Sequence, residues 1–250
     1  MGTNKSKVAI ITGGGSGIGF AIAEKFVQNN IKTIIIGRDE QKLSNAKNNL
    51  GELCNTMQCD LSYLNSIPNL VQKIIEQHGQ IDVLVNNAGI NMKKEFIEVS
   101  DEDFQKILLT NVTAIFSLSR EVVKHMLEKN IKGSIVNISS MASQYGIPKV
   151  IAYTASKSAI EGMTRAMAVE LSPKGIRINC IAPGFIATDM SAKALNNDPE
   201  RKNKALGRTP MGELGQPSDI GDAAVFFATD SSKYITGTVL PVDGGNSIGF

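Results

Sequence analysis

Val8-Ala9-Ile10-Ile11-Thr12-Gly13-Gly14-Gly15-Ser16-Gly17-Ile18-Gly19 is the stretch from which the rest of the chain can be read. Four apolar residues in a row, with no polar residue alternating, predict a short strand buried on both faces. From Ile18 to Asn29 the apolar positions 18, 22, 26 and 27 recur at helical spacing, with Glu24, Lys25 and Gln28 between them. A strand that runs through glycines straight into a helix exposes the helix's first N–H groups. The glycines permit positive φ and let those groups approach a phosphate closely. The spacing is Gly13-x-x-x-Gly17-x-Gly19, not the strict Gly-x-Gly-x-x-Gly, and no Gly-Lys-Ser/Thr of a triphosphate-binding loop follows. The turn therefore predicts a dinucleotide site at the start of the first helix.

Outward from this turn, β-rich runs and helical stretches alternate to the end of the chain. Thr33-Ile34-Ile35-Ile36 is β-branched throughout and predicts a second fully buried strand. A polar helix is expected from Asp39 to about Leu50, a strand near Leu53 to Cys59, a helix from Ser62 to His78, and a fourth strand at Ile81–Val85. Ser100-Asp101-Glu102-Asp103 starts a long helix with a capping-box pattern, expected to reach Lys129. Ser134–Ile138 reads as a strand, Tyr153 to Leu171 as a helix, and Arg177–Ile181 as a sixth strand. A polar, irregular stretch to about Pro210 precedes a helix from Pro217 to about Thr229 and a last strand around Val239–Val242. Fully apolar strands alternating with helices imply a doubly wound parallel sheet of about seven strands, helices on both faces, with ligands outside the strand C-termini. An eight-stranded barrel of this length would need one more strand and has no use for the first turn. No linker or repeat divides residues 1–250, so a single domain is expected, with a lid over the site at 189–210.

Composition narrows the function classes. The 250 residues carry 26 Lys and Arg against 24 Asp and Glu, a formal net charge of +2, which gives no basic excess for nucleic acid. Charged residues at 20% and hydrophobic ones at 42% describe an ordinary folded chain. Three cysteines make no disulfide framework, and two histidines, His78 and His125, lack partners at metal-ligand spacing. Cys54 and Cys59 read as packing residues near one strand. The polar start Met1–Lys7 has no signal-length apolar region, and although Gly2 and Ser6 fit the loose acylation pattern, a plain polar lead is the reading taken. No run approaches 18 apolar residues. A soluble cytoplasmic protein without a metal is expected.

Tyr153-Thr154-Ala155-Ser156-Lys157 sets a phenol and an ammonium four residues apart, on one helical face. Reduction of a ketone needs a proton at oxygen as hydride reaches carbon. A phenol with a free pKa of about 10 is a poor proton-transfer group at neutral pH, and a nearby ammonium favours its ionised form. With the Thr12-Gly13-x-x-x-Gly17-x-Gly19 turn, Asp60-Leu61 after the third strand and Asn86-Asn87-Ala88-Gly89 after the fourth, the chain resembles the short-chain dehydrogenase/reductase family over essentially its whole length. The resemblance implies a single-domain Rossmann-type fold, a homotetramer pairing the Asp103–Lys129 and Tyr153–Leu171 helices, and a catalytic set of Asn111, Ser140, Tyr153 and Lys157. From the residues alone either Ser139 or Ser140 could orient a carbonyl; the family spacing selects Ser140. Asn111 would anchor a water in a proton relay to Lys157. The cofactor would be held by Gly13, Gly15, Ser16, Gly17, Ile18, Gly19, Arg38, Asp60, Leu61, Asn87, Ala88 and Gly89. Tyr153, Lys157, Pro183, Gly184, Ile186 and Thr188 would hold its nicotinamide side.

Arg38 and Asp39 stand side by side where the second strand ends, and they point to opposite cofactors. Arg38 suits a 2′-phosphate, which its planar fork binds bidentately, and Asp39 suits the N-cap of the following helix. The reading is therefore NADP(H), with NAD(H) following if Asp39 faces the ribose. The Ile178–Met190 stretch resembles 3-oxoacyl-[acyl-carrier-protein] reductases, while Gly37–Leu43 and Arg208-Thr209-Pro210 resemble gluconate 5-dehydrogenases and related sugar dehydrogenases. The lid's Lys193, Arg201, Lys202, Lys204 and Arg208 against Asp189, Asp198 and Glu200 suit an acidic carrier or a sugar acid equally. A 3-oxoacyl-thioester reductase is the expected activity, with a sugar or polyol dehydrogenase as the alternative. A dinucleotide-binding sensor without turnover is the alternative of another class.

Overall fold

The computed structural model describes residues 6–188 and 199–249. Its strands are β1 (Val8–Thr12), β2 (Lys32–Gly37), β3 (Cys54–Gln58), β4 (Val83–Asn86), β5 (Ser134–Ile138), β6 (Arg177–Pro183) and β7 (Val239–Val242). They form one sheet in the order β3-β2-β1-β4-β5-β6-β7, parallel at every pairing. The helices are α1 (Gly17–Gln28), α2 (Glu40–Leu50), α3 (Ile67–His78), α4 (Asp101–Leu108), α5 (Ala114–Glu128), α6 (Ile151–Leu171), α7 (Pro199–Gly207) and α8 (Pro217–Ala228).

β1 shows why its sequence does not alternate. Ala9 and Ile11 join Ile22 and Phe26 of α1 and Ile220 and Phe227 of α8 in one core, while Val8 and Ile10 join Ile74 of α3 and Val122 of α5 in the other. Each fully buried isoleucine contributes about 1.5–3 kcal/mol, so a central strand is stabilised from both faces. In register, Ile10 sits between Ile34 of β2 and Leu84 of β4. The chain winds from β1 outward through β2 to β3, then crosses back to β4 on the other side. A crevice opens at that reversal, beyond the strand C-termini.

Three expectations need correction. The long helix expected to run to Lys129 is interrupted: α4 ends at Leu108, Leu109–Thr113 form a π turn, and α5 begins at Ala114. The polar stretch before Pro210 is not irregular throughout, because α7 occupies Pro199–Gly207. Pro199 suits the first helical position, and the residues after it are helix-compatible but lack an apolar stripe, so no periodicity announced the helix. The rest of the expected lid, 189–198, lies outside the described residues. The helix expected from Ser62 starts with a 3-10 turn at Leu64–Ser66 and becomes α-helical at Ile67, where Pro68 is tolerated in the first turn. Among the described residues, no helix is long and apolar enough to cross a membrane.

Candidate active site

The glycine turn after β1 is held open by β4. Thr12 Oγ1 accepts the N–H groups of Asn87 (3.0 Å) and Ala88 (2.9 Å), and Asn87 Nδ2 donates to Thr12 O at 2.9 Å. This brace locks the two strand ends on either side of the crevice to one another. Gly19 is obligatory here: a Cβ at that position would lie 2.3 Å from Gly13 O and 2.5 Å from Asn87 Nδ2. Gly17 has φ 57°, the left-handed region. The Ser16 side chain makes no capping bond to α1, and the helix start, with the positive end of its dipole, lies at the crevice. The crevice is a cavity of about 950 Å³ lined by this turn and by the ends of β2 to β6. A glycine cradle beneath an uncapped helix start fits a pyrophosphate, and the residues present therefore fit a nicotinamide dinucleotide.

At one end of the cavity Arg38 and Asp60 lie 3.8 Å apart. Burial pushes the Asp60 carboxyl up, but bonds from the Ser62 N–H and hydroxyl, with the Arg38 charge, outweigh it and hold it below the usual carboxylate range. Asp39 accepts the Lys42 N–H at 3.0 Å as the N-cap of α2, which engages one of its carboxylate oxygens, and it does not line the cavity. Arg38 keeps an exposed guanidinium at the rim. Lys42, in the first turn of α2, also lines the cavity and packs beside Gly15.

At the other end stand Ser140, Tyr153 and Lys157. Tyr153 and Lys157 project from α6, with Lys157 Nζ 5.5 Å from the centre of the Tyr153 ring. Lys157 is buried and donates to Ile138 O at 2.7 Å, which fixes its ammonium beneath the phenol. Ser140 caps a short 3-10 turn, Met141–Ser143, and its Oγ accepts the Ala142 N–H at 3.1 Å. With a lone pair occupied in this way, the hydroxyl proton is available to an acceptor in the cavity. Ser139 is buried, and its hydroxyl points instead to Glu161 and to the Lys157 carbonyl.

Asn111 sits in the π turn, fully buried. Its Oδ1 accepts the Ile90 N–H at 2.8 Å, and its Nδ2 donates to Ile90 O and Ser156 Oγ at 2.9 and 3.1 Å. Both amide protons are thus engaged, one helping Oδ1 to clamp Ile90 after Gly89 and the other tying the turn to α6. The wider turn gives an asparagine in mid-helix these partners outside the helix.

Of the residues singled out from sequence, Ser140, Tyr153 and Lys157 line the cavity, with every expected cofactor residue except Gly15. Gly15 lies behind, against Lys42, and Asn111 stands behind Gly89. Thr188 approaches the α1 N-terminus, with its Cγ2 4.0 Å from where a Gly17 Cβ would be. Sequence reasoning missed Lys42, Ser62, Asn91, Thr110 and Phe185, which also line the cavity. The signal for Lys42 was present: an N-cap at Asp39 puts residue 42 in the first turn of α2, beside the glycines.

The family described as enoyl-(acyl carrier protein) reductase matches residues 13–247. A 3α-hydroxysteroid dehydrogenase of Mediterraneibacter gnavus is 40% identical over 246 residues, spanning 96% of each chain. A 3-oxoacyl-[acyl-carrier-protein] reductase of Chlamydia muridarum is 39% identical over 244 residues, 96% of this chain and 97% of its own. Among solved structures, that of a proposed gluconate dehydrogenase from Agrobacterium tumefaciens superposes with a TM-score of 0.93 at 34% identity, covering 98% of this chain and 97% of that one.

Proposed function

This chain belongs to the short-chain dehydrogenase/reductase family, oxidoreductases acting on hydroxyl and keto groups, and from that premise we propose that it is an NADPH-dependent reductase of 3-oxoacyl thioesters. The observation that carries the reading is the arrangement along one cavity. Arg38 stands exposed at one end, paired with Asp60, with Asp39 bound as a helix cap, and Ser140, Tyr153 and Lys157 meet at the other. The glycine cradle and α1 N-terminus would hold the pyrophosphate, Arg38 and Lys42 would meet the 2′-phosphate, and Thr188 and the Pro183–Ile186 segment would hold the nicotinamide. When bound, the nicotinamide supplies the hydride, or takes it in the reverse direction.

The chain's own groups do the rest. Ser140 donates its hydroxyl proton to the substrate carbonyl oxygen, orienting it and stabilising the charge that develops there. Tyr153 delivers a proton to the same oxygen. Lys157 holds a positive charge beneath the phenol, anchored through Ile138 O, and would hold the nicotinamide ribose. Asn111 keeps the Gly89–Ile90 backbone in place beside Lys157; with both amide protons engaged, its part in a water relay runs through an acceptor atom. Exposed Phe116 on α5 and Val169 on α6 support a homotetramer built on those helices, and three free cysteines suit a reducing cytoplasm.

The likeness to the carrier-protein reductase supports the thioester, and the likeness to the sugar dehydrogenase structure supports a sugar acid as the second reading. A panel decides between them: NADPH and NADH oxidation with acetoacetyl thioesters, 5-ketogluconate, a 3-oxosteroid and simple ketones. The highest kcat/KM is expected for an acetoacetyl thioester with NADPH. Turnover confined to the sugar acid or the steroid overturns the substrate; preference for NADH overturns the cofactor.

A further inference from the structure

Glu161 is buried on α6, two turns beyond Tyr153 and one beyond Lys157. A carboxylate in so closed a place is costly unless its oxygens are bonded, and for packing alone an apolar side chain would serve better. Its Oε1 receives the Ser139 hydroxyl at 3.0 Å and meets the Ser143 hydroxyl in a second, short contact. These two serines bracket Ser140. Ser143 Oγ also lies 2.6 Å from the Ser140 carbonyl oxygen, so its single proton sits between that carbonyl and the carboxylate. Ser139 is further tied through its N–H to Ile181 O at 2.7 Å. The turn that presents Ser140 is therefore fastened at both ends to one oxygen atom on the helix that carries Tyr153 and Lys157.

We propose that Glu161 is a positioning residue, whose carboxylate sets the placement of the Ser140 hydroxyl relative to the Tyr153 phenol. The proposal rests on the reading of Ser140 as the group that orients the substrate carbonyl. Without the carboxylate, both serine hydroxyls lose their shared acceptor, the 139–143 turn is left tied to α6 only through the longer bonds of Ser139 to Lys157 O (3.3 Å) and of Ser158 to Ser143 O (3.4 Å), and the two proton donors no longer converge on one oxygen. The cofactor cradle, built on β1, α1 and β4, is untouched by this change.

The test is a double-mutant cycle with two controls. Glu161→Leu is expected to lower kcat by roughly tenfold to a hundredfold, the cost of an ångström-scale displacement of a catalytic group, while the Kd for NADPH is unchanged. Glu161→Gln keeps an acceptor oxygen and is expected to retain most of kcat. In a Ser140→Ala background, Glu161→Leu should cost nothing further, since the group it positions is gone. Equal loss in both backgrounds, or no loss in the parent, overturns the proposal. Should Glu161→Leu fail to fold, Ser143→Ala enters the same cycle with the same expected non-additivity, and an additive loss overturns the proposal likewise. Ser140→Ala alone reports on the underlying reading: if it keeps kcat within tenfold of the parent, the role of Ser140 falls first and that of Glu161 with it.

Discussion

Apart from Thr12 and Thr33, β1 and β2 bury apolar residues alone: Val8, Ala9, Ile10 and Ile11, and Ile34, Ile35 and Ile36. Across the crevice, β4, β5 and β6 bury the polar Asn86, Ser134, Asn137 and Asn179, each 3% exposed or less. Asn86 Nδ2 donates to Asn137 Oδ1 at 2.9 Å and to Ser119 Oγ at 3.0 Å, and Asn137 Nδ2 donates to Thr164 Oγ1 at 2.8 Å. Those bonds run from α5 through two adjacent strands to α6. The contrast follows from what each wing must hold. On the β1–β2 side the backbone itself forms the phosphate cradle, and apolar volume is enough to keep strands in place. On the other side a helix must present side chains to about an ångström, and directional bonds fix its register where apolar packing would tolerate a slide.

Four measurements can break or sharpen this contrast. The largest effect is expected from Tyr153→Phe, which keeps the packing and loses the proton: kcat should fall by roughly 10²–10⁴-fold with NADPH affinity unchanged. Activity within tenfold of the parent would remove the chemistry from the α6 side. Next, Asn137→Leu strands the Asn86 and Thr164 partners and should destabilise the fold by about 2–3 kcal/mol. Ile34→Val in the apolar wing should cost only about 0.5–1.5 kcal/mol by denaturant titration. Equal costs would erase the distinction. Third, Arg38→Ala should lower kcat/KM for NADPH by roughly tenfold to a hundredfold, through loss of charge-assisted bonds, and leave NADH little changed. Equal losses with both cofactors would make Arg38 a solvated charge.

The smallest effect is a pH dependence. His125 on α5 is buried, its Nε2 has no hydrogen-bond partner among the described residues, and burial, with Lys129 adding to it, lowers its pKa below the ordinary 6.5. Above that value both folded and unfolded chains hold it neutral, so it is neutral to stability. Below it the unfolded chain takes up the proton first, so stability declines as pH falls until the folded pKa is reached. His78 on α3 is shifted the same way by burial. The melting temperature should therefore drop between pH 7.5 and 5.0, and His125→Gln should remove part of that slope but not all. An unchanged slope would mean that His125 is solvated in the native state.

The centre of the sheet was legible because β1, β2 and β4 are largely apolar runs bounded by turns, and the glycine spacing after β1 pointed to the crevice. The π turn was not, since Leu108, Val112 and Ile115 keep helical spacing straight across it, and the extra residue per turn leaves no mark in composition. Nor was α7, whose residues after Pro199 lack a core-facing stripe. The choice between Ser139 and Ser140 needed the strand's last register: one hydroxyl turns inward to α6 and the other outward to the cavity. Glu161 reads in sequence as an unremarkable charge on a helix, because its partners come from a turn 18 and 22 residues upstream.

Tyr153, Lys157, Glu161 and Thr164 share one side of a single rigid rod, engaging in turn the cavity, the end of β5, the Ser140 turn and the middle of the sheet. Such a rod behaves like a key with four cuts: rotation or slippage displaces all of them together, and no cut can be misaligned alone. Variants that disturb the seating of α6 should then divide into those that turn the lock and those that do not, with few in between. Around Arg38, Lys42 and Asp60, where each contact stands on a different element, the same degree of disturbance should instead produce a graded series. The enzyme's cofactor preference would on this account be open to gradual adjustment over generations, while its proton chemistry would be inherited whole or lost.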